Sequence, residues 1–166
     1  MRIIDIPEFK DKKALLTLDS DVTVHDAAKE MKRCNFGAVV VTRNGKLCGI
    51  FTERDTLMKV VAEKKDPTKL KLSDVMTKNV KTARIDDEVA DSMRRMSQGR
   101  FRHLPIVDEE GNLTGMISQG DFVAITWYQL LQRFKMHLKS SFGSYTQLWM
   151  LVLAVLIYIT IAFKIF

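Results

Sequence analysis

Two short phrases in the chain set a hydroxyl three residues ahead of a carboxylate. Gly49-Ile50-Phe51-Thr52-Glu53-Arg54-Asp55 returns 66 residues later as Gly115-Met116-Ile117-Ser118-Gln119-Gly120-Asp121. Two chemistries suit that spacing. At a strand-to-helix junction the hydroxyl caps the helix and the acid reaches back to the amide of the cap residue, although aspartate is a weaker match there than glutamate. Alternatively the carboxylate holds a sugar, since its two acceptor oxygens can take hydrogen bonds from both hydroxyls of a ribose cis-diol. The amides of the helix start then favour an anionic neighbour such as phosphate. The readings are compatible, because a cap can also position a group that binds ligand.

The elements that must position these phrases are themselves repeated. Thr17-Leu18-Asp19-Ser20-Asp21-Val22-Thr23-Val24 aligns with Thr82-Ala83-Arg84-Ile85-Asp86-Asp87-Glu88-Val89, and Met31 with Met96. One residue is added at the turn, where Arg43-Asn44-Gly45 becomes Asp108-Glu109-Glu110-Gly111. A chain built twice from one unit buries its core by pairing the copies. In the first copy, residues 24–34 read as a helix with Ala27, Ala28 and Met31 on one face, started by Asp21 or Thr23. Apolar runs at 38–42 and 47–51 flank Asn44-Gly45, which favours a two-residue hairpin turn. Thr52 then opens a second helix with Leu57, Val60 and Val61 inward. The polar, proline-bearing stretch 64–69 reads as a linker. The second copy is expected as a short turn at 73–76, a strand at 79–83 and a helix at 87–98 with Val89, Met93 and Met96 inward. Strands at 104–107 and 113–118 complete it, and Pro105 suits a strand edge or start.

The copies differ most just before the first hairpin strand. Arg100, Arg102 and His103 stand where the first copy has Asn35-Phe36-Gly37-Ala38, which carries no basic group. Such a set can hold phosphate, with arginine offering a fixed donor fork, or it can be a solvated surface cluster. Gly37 permits close approach of a flat base or simply a tight turn. Cys34 and Cys48 have neither CxxC spacing nor a histidine cluster, so they read as half-buried thiols and no metal site is expected. His25, His103 and His137 sit in unrelated contexts, and no nucleophile–base–orienter set is visible. The chain therefore reads as non-enzymatic.

The repeated unit resembles the cystathionine-β-synthase (CBS) domain. The resemblance lies in Asp74-Val75-Met76-Thr77, Arg102-His103-Leu104-Pro105-Ile106-Val107-Asp108 and the two glycine phrases, and covers about residues 15–125. It implies an α/β (α+β) fold of two β-α-β-β-α repeats about a pseudo-two-fold axis, a tandem pair called a Bateman module. It also implies regulation instead of catalysis, a homodimer built through the pair, and adenosine-type ligands in clefts shared by the repeats. One cleft would use Thr17 and Phe36-Gly37-Ala38 for the base, Ser118 and Asp121 for the ribose, and Arg102 and His103 for phosphate. The other would use Thr82 and His103-Leu104 with Thr52 and Asp55; Arg54 is its one candidate phosphate partner, so it is expected to be empty or to take an uncharged nucleoside. The first is ranked higher because it holds the cationic set.

The formal net charge is +6, but it is unevenly placed. No acidic residue follows Asp121, whereas Arg133, Lys135, Lys139 and Lys164 do. The rest of the chain is close to neutral, which removes the main support for nucleic-acid binding. Residues 1–13 are broken by charges and Pro7 and show no signal-peptide pattern. Residues 123–142 place Val123, Trp127, Leu130, Leu131, Phe134 and Leu138 on one helical face, while Gln132, Arg133 and Lys139 avoid it. Such an amphipathic arm can pack on the module, meet a partner helix or lie on anionic headgroups. Residues 140–144 read as a hinge. No charged residue occurs from Ser140 to Phe163. As a helix, residues 145–166 would span about 33 Å, close to the bilayer's hydrocarbon thickness.

These features divide the chain into an N-terminal segment (1–14), repeat 1 (15–63), a linker (64–73), repeat 2 (74–122), the amphipathic helix and a single-pass C-terminal anchor (145–166). By the positive-inside bias the module faces the cytoplasm. The expected function is a membrane-tethered regulatory module that binds AMP, ADP or ATP, needs no other cofactor, and modulates a membrane protein partner. The alternative is an accessory or assembly subunit of a larger membrane complex, with structural or empty clefts.

Overall fold

The structure, a computed structural model, describes residues 1–6 and 15–165, without the side chains of 129, 138–147, 158, 159 and 161–165. It divides into two compact units, Met1–Phe122 and Val123–Phe166. The first unit holds two three-stranded sheets, one per copy. β1 (Thr17–Asp19), α1 (Val24–Cys34), β2 (Ala38–Arg43), β3 (Lys46–Thr52) and α2 (Glu53–Asp55, continuing as a π-helix over Thr56–Val61) form the first copy. A short helix α3 (Leu72–Val75) leads into β4 (Ala83–Arg84), α4 (Val89–Gly99), β5 (His103–Val107) and β6 (Leu113–Ser118). The last helix, α5 (Gln119–Ile165), begins in the first unit and makes up the second.

Each sheet pairs its first strand parallel to its second and its second antiparallel to its third. The Asn44-Gly45 turn is as expected: Arg43 pairs with Lys46 and both turn residues have positive φ. Pro105 sits in the central strand of its sheet, yet β4 pairs only from Ile106 onward, so no ladder donor is demanded of the proline. On β2, Val39 and Val41 join Val24, Ala27, Met31, Phe51 and Val60 in one core. Ala38 and Val40, on the opposite face, are also fully buried. A strand covered on both faces reads as a continuous apolar run, which is what Ala38–Val41 is.

The lead-in to each copy packs on the other. Leu72 and Val75 are part of the first copy's core. The Leu72 and Ser73 amides donate to the carbonyls of Val22 and Ser20, and Val24 donates back to Leu70. Ile3 and Ile4 do the same to Asp87 and Ile85, and Val89 donates to Met1. The two sets correspond residue for residue. Asp5 accepts from the Arg2 amide as Asp74 accepts from that of Lys71, and Ile3 and Ile6 are buried as Leu72 and Val75 are. The duplication thus extends to Arg2-Ile3-Ile4-Asp5-Ile6 against Lys71-Leu72-Ser73-Asp74-Val75.

Several expectations are corrected. Of the three apolar residues expected inward on α2, only Val60 is buried; Leu57 and Val61 are 58% and 60% exposed. The Ala62 amide reaches back to Leu57 and that of Lys65 to Val60, so this stretch has the wide turn of a π-helix and a different inward face from the one a 3.6 period predicts. On α4, Met93 is exposed and Ser92 is buried in its place. The strand expected at 79–83 is reduced to Ala83–Arg84, because Val80 donates to Lys78 in a tight local turn instead of a ladder. The helix runs through 140–144, the stretch read as a hinge. A single glycine costs a long helix only about 1 kcal/mol. In the second unit Val123, Trp127, Leu130, Leu131 and Phe134 are exposed; Leu138 lies outside the described side chains. Among the described residues no helix is long and apolar enough to cross a membrane. Half of the expected anchor, including 145–147, 158–159 and 161–166, lies outside the described side chains.

Because Leu72 fills the first copy's core from outside it, Leu72→Ala is expected to destabilise the whole unit by about 2–5 kcal/mol. Urea denaturation should show one cooperative transition moved to lower midpoint, not the loss of a separate linker transition.

Candidate functional site

Both hydroxyl–carboxylate phrases fold as capping boxes. Asp55 Oδ2 accepts from the Thr52 amide at 3.0 Å and from its hydroxyl at 2.7 Å, and Thr52 Oγ1 accepts from the Asp55 amide at 3.2 Å. Asp121 Oδ2 accepts from the Ser118 amide and hydroxyl, both at 2.7 Å. Strand sterics set this up: β3 and β6 end at the hydroxyl residue, which stays extended while the next residue turns helical. The surroundings differ. Asp55 is 9% exposed. Its Oδ1 meets Lys59 Nζ at 2.6 Å and accepts from Thr77 Oγ1 at 3.4 Å.

Asp55 nevertheless faces a cleft. Thr52, Arg54, Asp55 and Thr77 line one side of a space of about 150 Å³, and Phe101, Arg102 and His103 line the other. Three local devices build it. Thr77 is held at the sheet edge by a two-way backbone bridge with Ile50. This edge comes close only because Gly49 lacks a side chain; a Cβ there would overlap the Met76 thioether. On the far side, Arg100 takes a left-handed conformation (φ 53°) that ends α4 and turns the chain into Phe101. The Phe101 ring lies against Gly99, where a Cβ would overlap it.

Charge crosses the cleft. Arg54 donates to the Arg100 carbonyl at 2.6 Å, and Arg102 approaches Glu53 at 3.8 Å. With Lys59 offsetting Asp55 and Glu53 partly offsetting Arg102, the cleft keeps a modest excess of positive charge, chiefly from Arg54, which favours an anionic ligand. A second cleft, of about 540 Å³, is lined by Thr82, Arg95, Gln98, Phe101 and Leu104. Phe101 lines both. A third, of about 350 Å³, includes Phe36, Asn35 and Glu53.

The structure therefore brings Thr52, Asp55, Arg102 and His103 into one cleft and puts Thr82 and Leu104 in its neighbour. Phe36 lines the third. Gly37 sits against the Glu53 carboxylate, 3.2 Å from where a Cβ would be, and accepts the Glu53 amide's hydrogen bond on its carbonyl. Ala38 is buried opposite Thr52 in the ladder, Ser118 lies opposite His103, and Thr17 is exposed on β1 beside Val40. Arg100 contributes a carbonyl to Arg54. Four residues enter that sequence reading did not single out: Glu53, Lys59, Thr77 and Phe101. Lys59 follows Asp55 by four residues, a spacing readable as a helical ion pair. Thr77 and Phe101 come to the cleft only through tertiary folding.

Of the thiols, Cys48 donates to the Val41 carbonyl at 3.3 Å, and burial pushes its pKa up, so it is a poor nucleophile. Among the described residues no group of histidine, cysteine and acidic side chains is arranged to hold a metal ion.

The model of the CBS domain matches this chain twice, over residues 8–62 and 72–127. The chain belongs to the CBS-domain family. Its two copies form a CBS pair. Over 129 residues the pair is 37% identical to a mitochondrial CBS domain-containing protein of Arabidopsis thaliana, covering 73% of this chain and 62% of that one. The chain thus spans under two thirds of that relative's length. Among solved structures, a CBS-domain containing protein of Agrobacterium tumefaciens is 35% identical with a TM-score of 0.69, covering 76% of this chain and 99% of that one. A CBS domain pair solved with 5′-methylthioadenosine and S-adenosyl-L-methionine is 26% identical with a TM-score of 0.68, covering 78% of this chain and 98% of that one.

Thr52 serves the CBS pair both as helix cap and as partner to Asp55. Thr52→Ala should cost about 1–2 kcal/mol of stability, as loss of a cap does. Thermal denaturation checks this, and Thr52→Ser should restore most of the loss.

Proposed function

We propose that this CBS pair is a regulatory module that binds an adenine nucleotide, AMP, ADP or ATP, with its ribose at Asp55 and its phosphate between Arg54 and Arg102. One observation carries the reading: a single cleft gathers a hydroxyl, a carboxylate, two arginines and a histidine, drawn from both copies. The related pair that binds methylthioadenosine and S-adenosyl-L-methionine supports an adenosine-type ligand. The Thr82–Leu104 cleft beyond Phe101 then takes the base. Asp121 and Ser118, with Thr17, Phe36, Gly37 and Ala38, form the second candidate position. A ligand that touches both copies favours one relative arrangement of them, and can act on a partner only by its differential affinity for two states.

The module is proposed to be tethered through 145–166, with the CBS pair on the cytoplasmic side. The uncharged run from Ser140 to Phe163 supports this, as does the placing of nearly all late basic residues before it. Tethering would hold the pair near a membrane protein at high effective concentration. Leu57, Met58 and Val61, exposed together on α2, suit self-association of the pair. The reading as an accessory subunit is favoured by a different observation. The Asp55 carboxylate is already engaged by Thr52, Lys59 and Thr77 and does structural duty without ligand.

Calorimetric titration with AMP separates these. Asp55→Asn should weaken binding at least tenfold; because the carboxylate also caps α2 and meets Lys59, a separate stability loss of about 1–3 kcal/mol is expected and is read by urea denaturation without ligand. Equal affinities would leave the subunit reading, which further predicts a stoichiometric partner in mild detergent whatever the nucleotide level. For the tether, the full chain should float with liposomes and a chain ending at residue 139 should not. Flotation of both would move the membrane contact to the amphipathic part of α5.

A further inference from the structure

Lys59 lies one turn beyond Asp55 and occupies the oxygen that a ribose would need. A carboxylate has about four lone-pair sites. On Asp55, two are taken by the Thr52 amide and hydroxyl, one by Thr77 Oγ1 and one by Lys59 Nζ. The ammonium is equally committed: beyond Asp55 it donates to the Val75 carbonyl at 2.8 Å and to Thr77 Oγ1 at 3.3 Å. Nothing can hydrogen-bond to Asp55 without displacing one of these partners. The two bonds from Thr52 hold the helix start itself, whereas Lys59 is a long side chain, 37% exposed, that can swing into water.

Resting on the ribose reading above, we propose that Lys59 is a built-in competitor for Asp55 Oδ1. Nucleoside hydroxyls enter as the ammonium withdraws, and its withdrawal frees the Val75 carbonyl at the end of α3. Lys59 thereby sets the affinity of the cleft for the sugar. It also ties occupancy of the cleft to the segment joining the two copies, since α3 is core to the first copy and continues into the second. The other phrase is built differently: the residue 66 positions after Lys59 is Ile125, which has no ammonium to offer Asp121.

The test uses the full chain in mild detergent, with adenosine and 2′-deoxyadenosine as probes and calorimetry as the readout. Lys59→Met should bind adenosine about three- to tenfold more tightly than wild type, the gain expected from sparing one hydrogen-bond exchange. The gain should be absent for 2′-deoxyadenosine, which lacks half of the diol, and absent in Lys59→Arg. Binding in Lys59→Met alone would support the competitor still more directly. If both proteins bind adenosine equally, or both probes gain alike, the competitor role is overturned while the ribose reading stands. If neither protein binds adenosine, the competitor role is overturned, while the ribose reading is decided by the AMP titration of Asp55→Asn. Lys59→Gln gives the same comparison should the methionine variant fail to fold by circular dichroism. In wild type, adenosine should also speed amide exchange across residues 72–77; unchanged exchange would overturn the coupling to α3.

Discussion

A three-stranded sheet with an apolar run at its centre cannot be left open on either side, and this constraint organises the CBS pair. β2 and β5 are buried on both faces, so the helices of one copy cover only half of what must be covered. The remainder is met by exchange. Leu72 and Val75 enter the first copy's core, and Ile3 and Ile6 are buried where the first turn of the chain is hydrogen-bonded to the second copy. Neither copy satisfies its backbone donors alone: Val24 needs the Leu70 carbonyl and Val89 needs that of Met1. The two copies form one compact unit because unpaired amides and bare apolar faces are both costly.

The cleft follows from that exchange. The segment that plugs the first copy continues to Thr77, which bridges to Ile50 and so stands beside Asp55. The same pairing brings the end of α4 toward α2, where Arg54 reaches the Arg100 carbonyl. A group bound there touches both copies at once. Stability and binding also draw on the same atoms. The Asp55 carboxylate starts a helix, accepts an ammonium and lines the cleft, so a ligand must trade against interactions that hold the fold. Such trading is how a small binding energy can be turned into a change of arrangement.

Much of this was legible beforehand. The 3.6 period of Val24–Cys34 and the Asn-Gly turn are local signals, and both elements formed at the expected places. The hydroxyl–carboxylate spacing predicts a cap or a sugar site. The cap is what the geometry shows, while Asp55 also faces a cleft. Less legible were the inward faces of α2 and α4. A π-helical turn leaves no mark in hydrophobic periodicity, so the pattern predicts Leu57 and Val61 as core although both are exposed. Ser92 was invisible as a core residue because its burial depends on what packs over it. The match between Arg2-Ile3-Ile4-Asp5-Ile6 and Lys71-Leu72-Ser73-Asp74-Val75 is present in the sequence, but one identity and three similarities over five residues carry it.

The amino-acid sequence by itself determined the duplicated unit, the helix caps, the hairpins, the uneven charge and the uncharged C-terminal run. Each depends on neighbours within a few residues or on simple repetition, and local sterics and side-chain chemistry settle them. Only the tertiary structure decided that each copy's lead-in belongs to the other, and that Thr77 joins Lys59 at Asp55 Oδ1. It alone put Phe101 in the lining of two clefts. Apart from the Asp55–Lys59 pair, those outcomes depend on which surfaces meet across stretches of chain from 22 residues (Asp55 to Thr77) to 88 (Met1 to Val89), and burial against a distant partner has no signature in local pattern.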